Sequence, residues 1–183
     1  MSRILTISGS SRAGSFNLAL IELLGGLLEQ QGATVTTVDL RALGLPIYDG
    51  DLESESGAPA GVATLLAAIK EADGLLISCP EYNGLPTPLF KNAIDWVSRP
   101  IDGGGSGLDA LRGKPVALCA ASPGALGGIR GMVHVRALLG NIGMLVLPEQ
   151  LAVGQAHKGI EANARAEKLI AALLEVTQKL TRP

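Results

Sequence analysis

Four side chains in the segment Gly9-Ser10-Ser11-Arg12-Ala13-Gly14-Ser15-Phe16-Asn17 could together hold an anion: the hydroxyls of Ser10, Ser11 and Ser15 and the guanidinium of Arg12. The glycines let backbone amides approach closely, and a helical pattern starts at Asn17, so the amides of a helix N-terminus face the same space. Such a cradle suits a terminal monophosphate. A nucleotide triphosphatase loop is excluded, because Gly14 is followed by Ser15-Phe16 where Lys-Ser/Thr is required. The dinucleotide fingerprint is excluded as well, since Ser11 stands in the place of its second glycine. Ser15 or Asn17 also suits the cap of the helix, which uses the same amides.

Two further segments carry residues of this kind. In Pro80-Glu81-Tyr82-Asn83-Gly84-Leu85, with Pro86 following, prolines stiffen the backbone and Asn83-Gly84 is a turn dipeptide able to reach positive φ. A rigid loop of this type can present amides to the polar edge of a flat ring, and Tyr82 offers a flat apolar surface. In Ser122-Pro123-Gly124-Ala125-Leu126-Gly127-Gly128, small residues expose amides that could face a ring carbonyl, with Arg130 at the start of the next helix. Ser122 as a hydrolytic nucleophile is disfavoured: no GxSxG elbow surrounds any serine, and His134 and His157 are distant in sequence. His134 lies in a helical pattern and reads as a structural or interface residue.

The elements that must position these segments alternate regularly. Short apolar runs at Ile4–Ile7, Val35–Val38, Leu75–Ser78, Pro115–Leu118 and Met144–Leu147 read as strands. Between and after them, 3.6-residue periodicity predicts helices over Asn17–Gln31, Val62–Ala72, Pro86–Ser98, Arg130–Gly140 and Ile160–Leu180, with Gly32 as a stop for the first. Strands apolar throughout belong to a parallel sheet covered on both faces, so an α/β doubly wound sheet follows. In such sheets ligands bind beyond the carboxyl ends of the strands, which is where all three segments fall. Gly44–Pro59 and Pro100–Gly113 read as loops. The first carries Asp49, Asp51, Glu53 and Glu55 and is expected to be solvated and mobile, with substrate gating as the other reading. On the helix after the second segment, Leu89, Phe90, Ala93, Ile94, Trp96 and Val97 span a stripe of roughly 160°, wider than the ~100° of a surface helix, which suggests a subunit contact.

Composition narrows the classes. At 183 residues the chain is expected to form a single domain over 1–183. Glycine is abundant, 24 residues, but without a triplet period and beside 47% apolar residues, so collagen and disorder are excluded. A net charge of −2 supplies no basic field for nucleic acid or an anionic membrane. Cys79 and Cys119 have no CxxC partner or nearby histidine, which leaves reduced buried thiols and no metal site. With no secretory leader and no apolar run of ~20 residues, the expected location is cytoplasmic.

Taken together, Gly9-Ser10-Ser11-Arg12-xx-Ser15-Phe16-Asn17, the run from Pro80-Glu81-Tyr82-Asn83-Gly84 into Lys91-Asn92-Ala93-Ile94-Asp95-Trp96-xx-Arg99, and Ser122 to Gly128 resemble the NADPH-dependent FMN reductase family, which includes chromate and quinone reductases. The resemblance implies a flavodoxin-like five-stranded parallel sheet of order 2-1-3-4-5 with helices on both faces. It implies non-covalent FMN, with its phosphate on Ser10, Arg12, Ser15 and Asn17 beside Phe16. The isoalloxazine is expected against Pro80, Glu81, Tyr82, Asn83 and Gly84, with Ser122 and Gly124 at its other edge. NADPH or NADH would be the co-substrate, and free flavin, quinones, azo compounds or chromate the acceptors. Donor and acceptor would use one site in turn, with no catalytic side chain demanded. The resemblance also implies a homodimer or homotetramer. The other readings are a flavodoxin-type electron carrier that does not oxidise NAD(P)H, against which the modest net charge argues, and a flavin-free binder of small phosphates.

Overall fold

The computed structural model describes residues 1–100 and 105–181. Five strands, β1 (Arg3–Ser8), β2 (Thr34–Asp39), β3 (Gly74–Ser78), β6 (Pro115–Ala121) and β7 (Leu145–Val153), form one parallel sheet in the order β2-β1-β3-β6-β7. This is the expected 2-1-3-4-5 order of a flavodoxin-like sheet. The central strands are buried along their whole length, which is why they read as unbroken apolar runs. β2, at an edge, buries only Val38 among its residues.

Successive strand residues face opposite sides, and two separate cores result. On one side α1 (Phe16–Gln30) and α7 (Ala164–Thr181) pack Leu20, Leu24, Leu169 and Leu173 against Ile4, Leu76, Ala117 and Cys119. On the other, α3 (Ala60–Glu71), α4 (Pro88–Val97) and α6 (Ile129–Asn141) pack Leu65, Ile69, Phe90, Ile94, Met132 and Val135 against Leu5, Ile7, Leu75, Ile77 and Leu118. Helices therefore cover both faces. No helix among the described residues is long and apolar enough to cross a membrane.

Several expectations are corrected. The segment Gly44–Pro59 contains a helix, α2 (Gly50–Ser56), capped by the Asp49 carboxylate, which accepts the Asp51 and Leu52 amides. It is held to α4 rather than loose. The Asn92 side chain and Trp96 Nε1 both donate to the Pro46 carbonyl, at 2.7 and 2.8 Å, and Arg99 pairs with Glu53 at 2.9 Å. The segment Pro100–Gly113 contains α5 (Gly107–Leu111); residues 101–104 of it lie outside the described residues. α4 begins at Pro88 rather than Pro86, because Leu85–Pro86 forms a short strand and Thr87 caps the helix by accepting the Phe90 amide. The last strand runs on to Val153, and the last helix starts at Ala164 instead of Ile160. The wide stripe of α4 is taken up within the chain: Phe90, Ala93, Ile94, Trp96 and Val97 are all buried, Trp96 edge-on to Tyr48. Of the six stripe residues only Leu89 stays partly exposed.

Candidate active site

All three segments lie at the carboxyl ends of β1, β3 and β6, and they enclose one cleft. Its cavity, about 160 Å³, is lined at one end by Ser10, Arg12, Ser15, Phe16 and Asn17, and at the other by Pro80, Glu81, Tyr82, Ala121, Ser122 and Pro123. A larger cavity of about 350 Å³ lies elsewhere, beside Pro59, Leu66 and Trp96, and draws on none of these segments.

At the first end Ser15 is the cap of α1, its Oγ accepting the Asn17 and Leu18 amides at 3.1 and 3.4 Å. Ser10 Oγ accepts the Arg12 amide and Ser122 Oγ the Gly124 amide, at 3.3 and 3.1 Å. Each of these hydroxyl oxygens is occupied as an acceptor, while its hydrogen has no acceptor among the described residues. A hydroxyl so placed is a donor waiting for an acceptor-only group such as a phosphate or a ring carbonyl. Arg12 is exposed and forms no ion pair among the described residues; its guanidinium lies over the Phe16 ring, 6.0 Å from the centroid.

Asn17 has a different part. Its side chain is buried, and its Oδ1 accepts Ser78 Oγ at 2.9 Å and the Ala121 amide at 3.0 Å while its Nδ2 donates to the Ala121 carbonyl at 2.8 Å. One amide thus ties the first turn of α1 to the ends of β3 and β6, the three places from which the cleft is built. What Asn17 can still turn toward a ligand is limited by these bonds.

The second segment is a hairpin, whose turn at Asn83-Gly84 the sequence marks and whose two short strands it does not. β4 (Glu81–Tyr82) pairs antiparallel with β5 (Leu85–Pro86) across Asn83-Gly84, whose φ angles of 55° and 80° are those of a type I′ turn. Asn83 and Gly84 form the tip and do not line the cavity; Tyr82 does, and is 51% exposed. The Glu81 side chain turns to α6. It accepts Arg130 Nη2 at 2.8 Å and the Gly131 amide at 2.8 Å. Burial pushes the Glu81 carboxyl up, but the bonds from Arg130 and Gly131 and the guanidinium charge outweigh this and hold it below its ordinary value.

In the third segment, Ser122 and Pro123 line the cleft, while Gly124 is exposed and does not line it. Gly127 and Gly128 both have positive φ, and the loop is fastened to the end of β7 through Ser122 N–H to Val153 and Gln155 N–H to the Gly124 carbonyl. The sequence offered nothing to mark Gly131, Val153 or Gln155 as supports, because their roles depend on tertiary approach. Cys79 and Cys119 are both buried free thiols under the site, and burial pushes them up to about 11 and about 12. Neither is a nucleophile at neutral pH. Among the described residues no cluster of acids, histidines or cysteines could hold a metal ion.

Three serine hydroxyls and an arginine thus face a hairpin across a cleft at the carboxyl ends of the strands of a flavodoxin-like sheet. Residues 2–158 match the NADPH-dependent FMN reductase family, and the chain belongs to it. It is 37% identical over 141 residues to the quinone reductase of Escherichia coli, covering 75% of this chain and 69% of that one. It is 33% identical over 186 residues to an NAD(P)H-dependent FMN reductase of Pseudomonas aeruginosa, covering 98% and 95%. The structure is similar to that of FerB, a flavoenzyme NAD(P)H:(acceptor) oxidoreductase from Paracoccus denitrificans, with a TM-score of 0.78, 25% identity and 98% of each chain covered. This chain is therefore an NAD(P)H-dependent flavin oxidoreductase of the FMN and quinone reductase class, with FMN as cofactor and NAD(P)H as co-substrate.

Proposed function

We propose that the chain, as one domain over 1–183, oxidises NAD(P)H with FMN held in this cleft and delivers the electrons to a quinone, a free flavin, an azo compound or chromate. The observation that carries the assignment is the arrangement of Ser10, Ser15 and Arg12 with unengaged donors at one end of a cavity whose other end is lined by Pro80, Glu81 and Tyr82. FMN, when bound, supplies the hydride-accepting ring system. Ser10, Arg12 and Ser15, with the Phe16 amide at the start of α1, would hold the phosphate. Pro80, Glu81 and Tyr82, with Asn83 and Gly84 closing their hairpin, border the ring, and the Ser122 hydroxyl, whose oxygen accepts the Gly124 amide, donates at its far edge. Asn17 keeps these parts in register, and Phe16 floors the phosphate end. Tyr82 is half exposed at the cleft, and NAD(P)H and then the acceptor would occupy the same face in turn.

We also place the chain in a homodimer or homotetramer in the cytoplasm. Exposed Leu85, Leu126, Ile129 and Val133 surround the junction of the hairpin with α6 and supply an apolar surface for a second copy. The two free thiols suit a reducing compartment. The test is NADPH and NADH oxidation by the FMN-loaded protein, with and without a soluble quinone. Quinone-dependent turnover is expected. A protein that keeps its FMN yet oxidises neither nicotinamide would be an electron carrier instead.

A further inference from the structure

The Ser10–Gly14 loop is fixed at both ends and nearly free between them. Its entry is set by Gly9, whose N–H donates to the Ser78 carbonyl at 2.8 Å and whose carbonyl accepts Thr87 Oγ1 at 2.6 Å, and its exit by the Ser15 cap of α1. Between these points Ser10 to Gly14 make no backbone–backbone hydrogen bond among the described residues, and all but Ser10 are exposed. The loop also stands off the sheet: a hollow of about 170 Å³ is lined by Ser11 and Ala13 on the loop side and by Thr37 and Val38 of β2. Among the described residues a single hydrogen bond reaches the loop from beyond β1 and α1, from Arg41 Nη1 to the Ser11 carbonyl at 2.9 Å.

Arg41 itself has a firm base. Ser8 pairs with Asp39, which sets the end of β2 beside the start of the loop, and Val38 and Leu40 are buried on either side of Asp39. Asp39 Oδ1 accepts the Arg41 amide at 2.9 Å, and the Arg41 carbonyl accepts the Gly44 amide at 3.2 Å. No carboxylate lies at ion-pair distance from Arg41 among the described residues, so no acid draws the guanidinium away from Ser11. We propose that Arg41 is the positioning residue of the phosphate loop: through the Ser11 carbonyl it holds Ser10 and Arg12, on either side of Ser11, in the arrangement that the FMN phosphate meets. The inference rests on the reading of this loop as the phosphate site and adds what keeps it in shape. An untied loop would have to lose its backbone freedom when the phosphate binds, and that entropy cost would lower the affinity. The flavin ring is held by the other two segments, so a flavin without a phosphate would not feel the change.

The test uses Arg41→Met, which keeps much of the aliphatic stem but removes donor and charge, and Arg41→Lys, which keeps a charged donor. Each full-length protein is titrated with FMN and with riboflavin at about 0.1 M and about 0.5 M KCl, the higher salt screening all but the nearest charges. R41M should bind FMN about fivefold to tenfold more weakly and riboflavin within about twofold of the wild type, and R41K should recover most of the loss. Because the effect comes from a tie and not from a distant field, it should remain at the higher salt. A second readout needs no flavin: Arg12 is exposed within the loop, and trypsin should cut after it several-fold faster in R41M than in the wild type, as followed by intact mass. FMN binding by R41M within about twofold of the wild type, equal losses for FMN and riboflavin, or a loss that disappears at the higher salt overturns the proposal. Unchanged cleavage after Arg12 in R41M overturns it as well. Arg12→Ala is the control for the underlying reading: equal losses of FMN and riboflavin in that variant would defeat the phosphate site instead, and the cleavage rates would still decide whether Arg41 holds the loop.

Discussion

Gly131 approaches Glu81 so closely that a β-carbon on it would lie 2.5 Å from the Glu81 β-carbon and 3.2 Å from its α-carbon. The hairpin at the Pro80–Tyr82 end of the cleft is therefore seated directly on the first turn of α6, with no room for a side chain between them. Gly131→Ala should push the hairpin away by forcing these atoms apart. The expected cost is about 1–3 kcal/mol of stability, together with weaker FMN retention. Denaturant unfolding and fluorescence titration with FMN measure the two effects, and an alanine variant equal to wild type in both would show that the hairpin can shift freely.

The Glu81 carboxylate adds a pH signature to the same contact. Its folded value lies below the ordinary glutamate value of about 4.3. A depressed carboxyl contributes stability that is fully present above the unfolded value and is lost as pH falls through the folded one. The difference in Tm between the wild type and Glu81→Gln should thus be constant from about pH 8 to pH 5 and shrink below about pH 4.3. A difference that persists undiminished at pH 3 would mean that the ion pair with Arg130 is not its source.

The buried thiols give a third expectation. With Cys79 held up to about 11 and Cys119 up to about 12 by burial, the thiolate fraction at neutral pH is very small. Iodoacetamide should label neither in the folded protein and both in denaturant, as counted by intact mass. Rapid labelling of Cys79 under native conditions would show that the β3 end opens toward the cleft.

Asn17 is expected to matter far more than an ordinary helix residue. Removing its amide in Asn17→Ala leaves Ser78 Oγ and both backbone polar groups of Ala121 without their partner in a buried place. The cost should be about 2–4 kcal/mol, read by urea unfolding of the FMN-free protein so that ligand binding does not enter. A loss below about 0.5 kcal/mol would imply that water replaces the amide there.

The parts of this site visible in the sequence are those that depend on neighbours along the chain. Ser15 as cap, the positive φ of Asn83-Gly84 and the strands that end beneath the three loops all follow from local residue types. The brace of Asn17 does not, since its partners stand 61 and 104 positions away. Helix α2 escaped because none of its residues is buried, so it has no apolar period; only Asp49 before Asp51 and Glu53 marked its start. The stripe on α4 misled for the opposite reason. Its width serves the segment from Pro46 to Glu53, which lies across Trp96 and Arg99 and covers what would otherwise be an outer face. Periodicity reports how much of a helix is covered, not by what.

The phosphate assignment has the sharpest test, because riboflavin carries the ring of FMN without its phosphate. Arg12 lines the cleft, is exposed and has no ion-pair partner among the described residues, so its removal leaves no buried charge stranded. Arg12→Ala should weaken FMN binding by about 1–3 kcal/mol, the range of a charge-assisted hydrogen bond, while changing riboflavin binding by less than about twofold. Ser15→Ala should weaken FMN as well, and in addition cost about 1 kcal/mol of stability through the lost cap. Fluorescence quenching titrations with both flavins on both variants measure this. Equal losses for FMN and riboflavin would place Arg12 against the ring or the loop backbone rather than the phosphate, and the orientation of the cofactor in the cleft would have to be reversed.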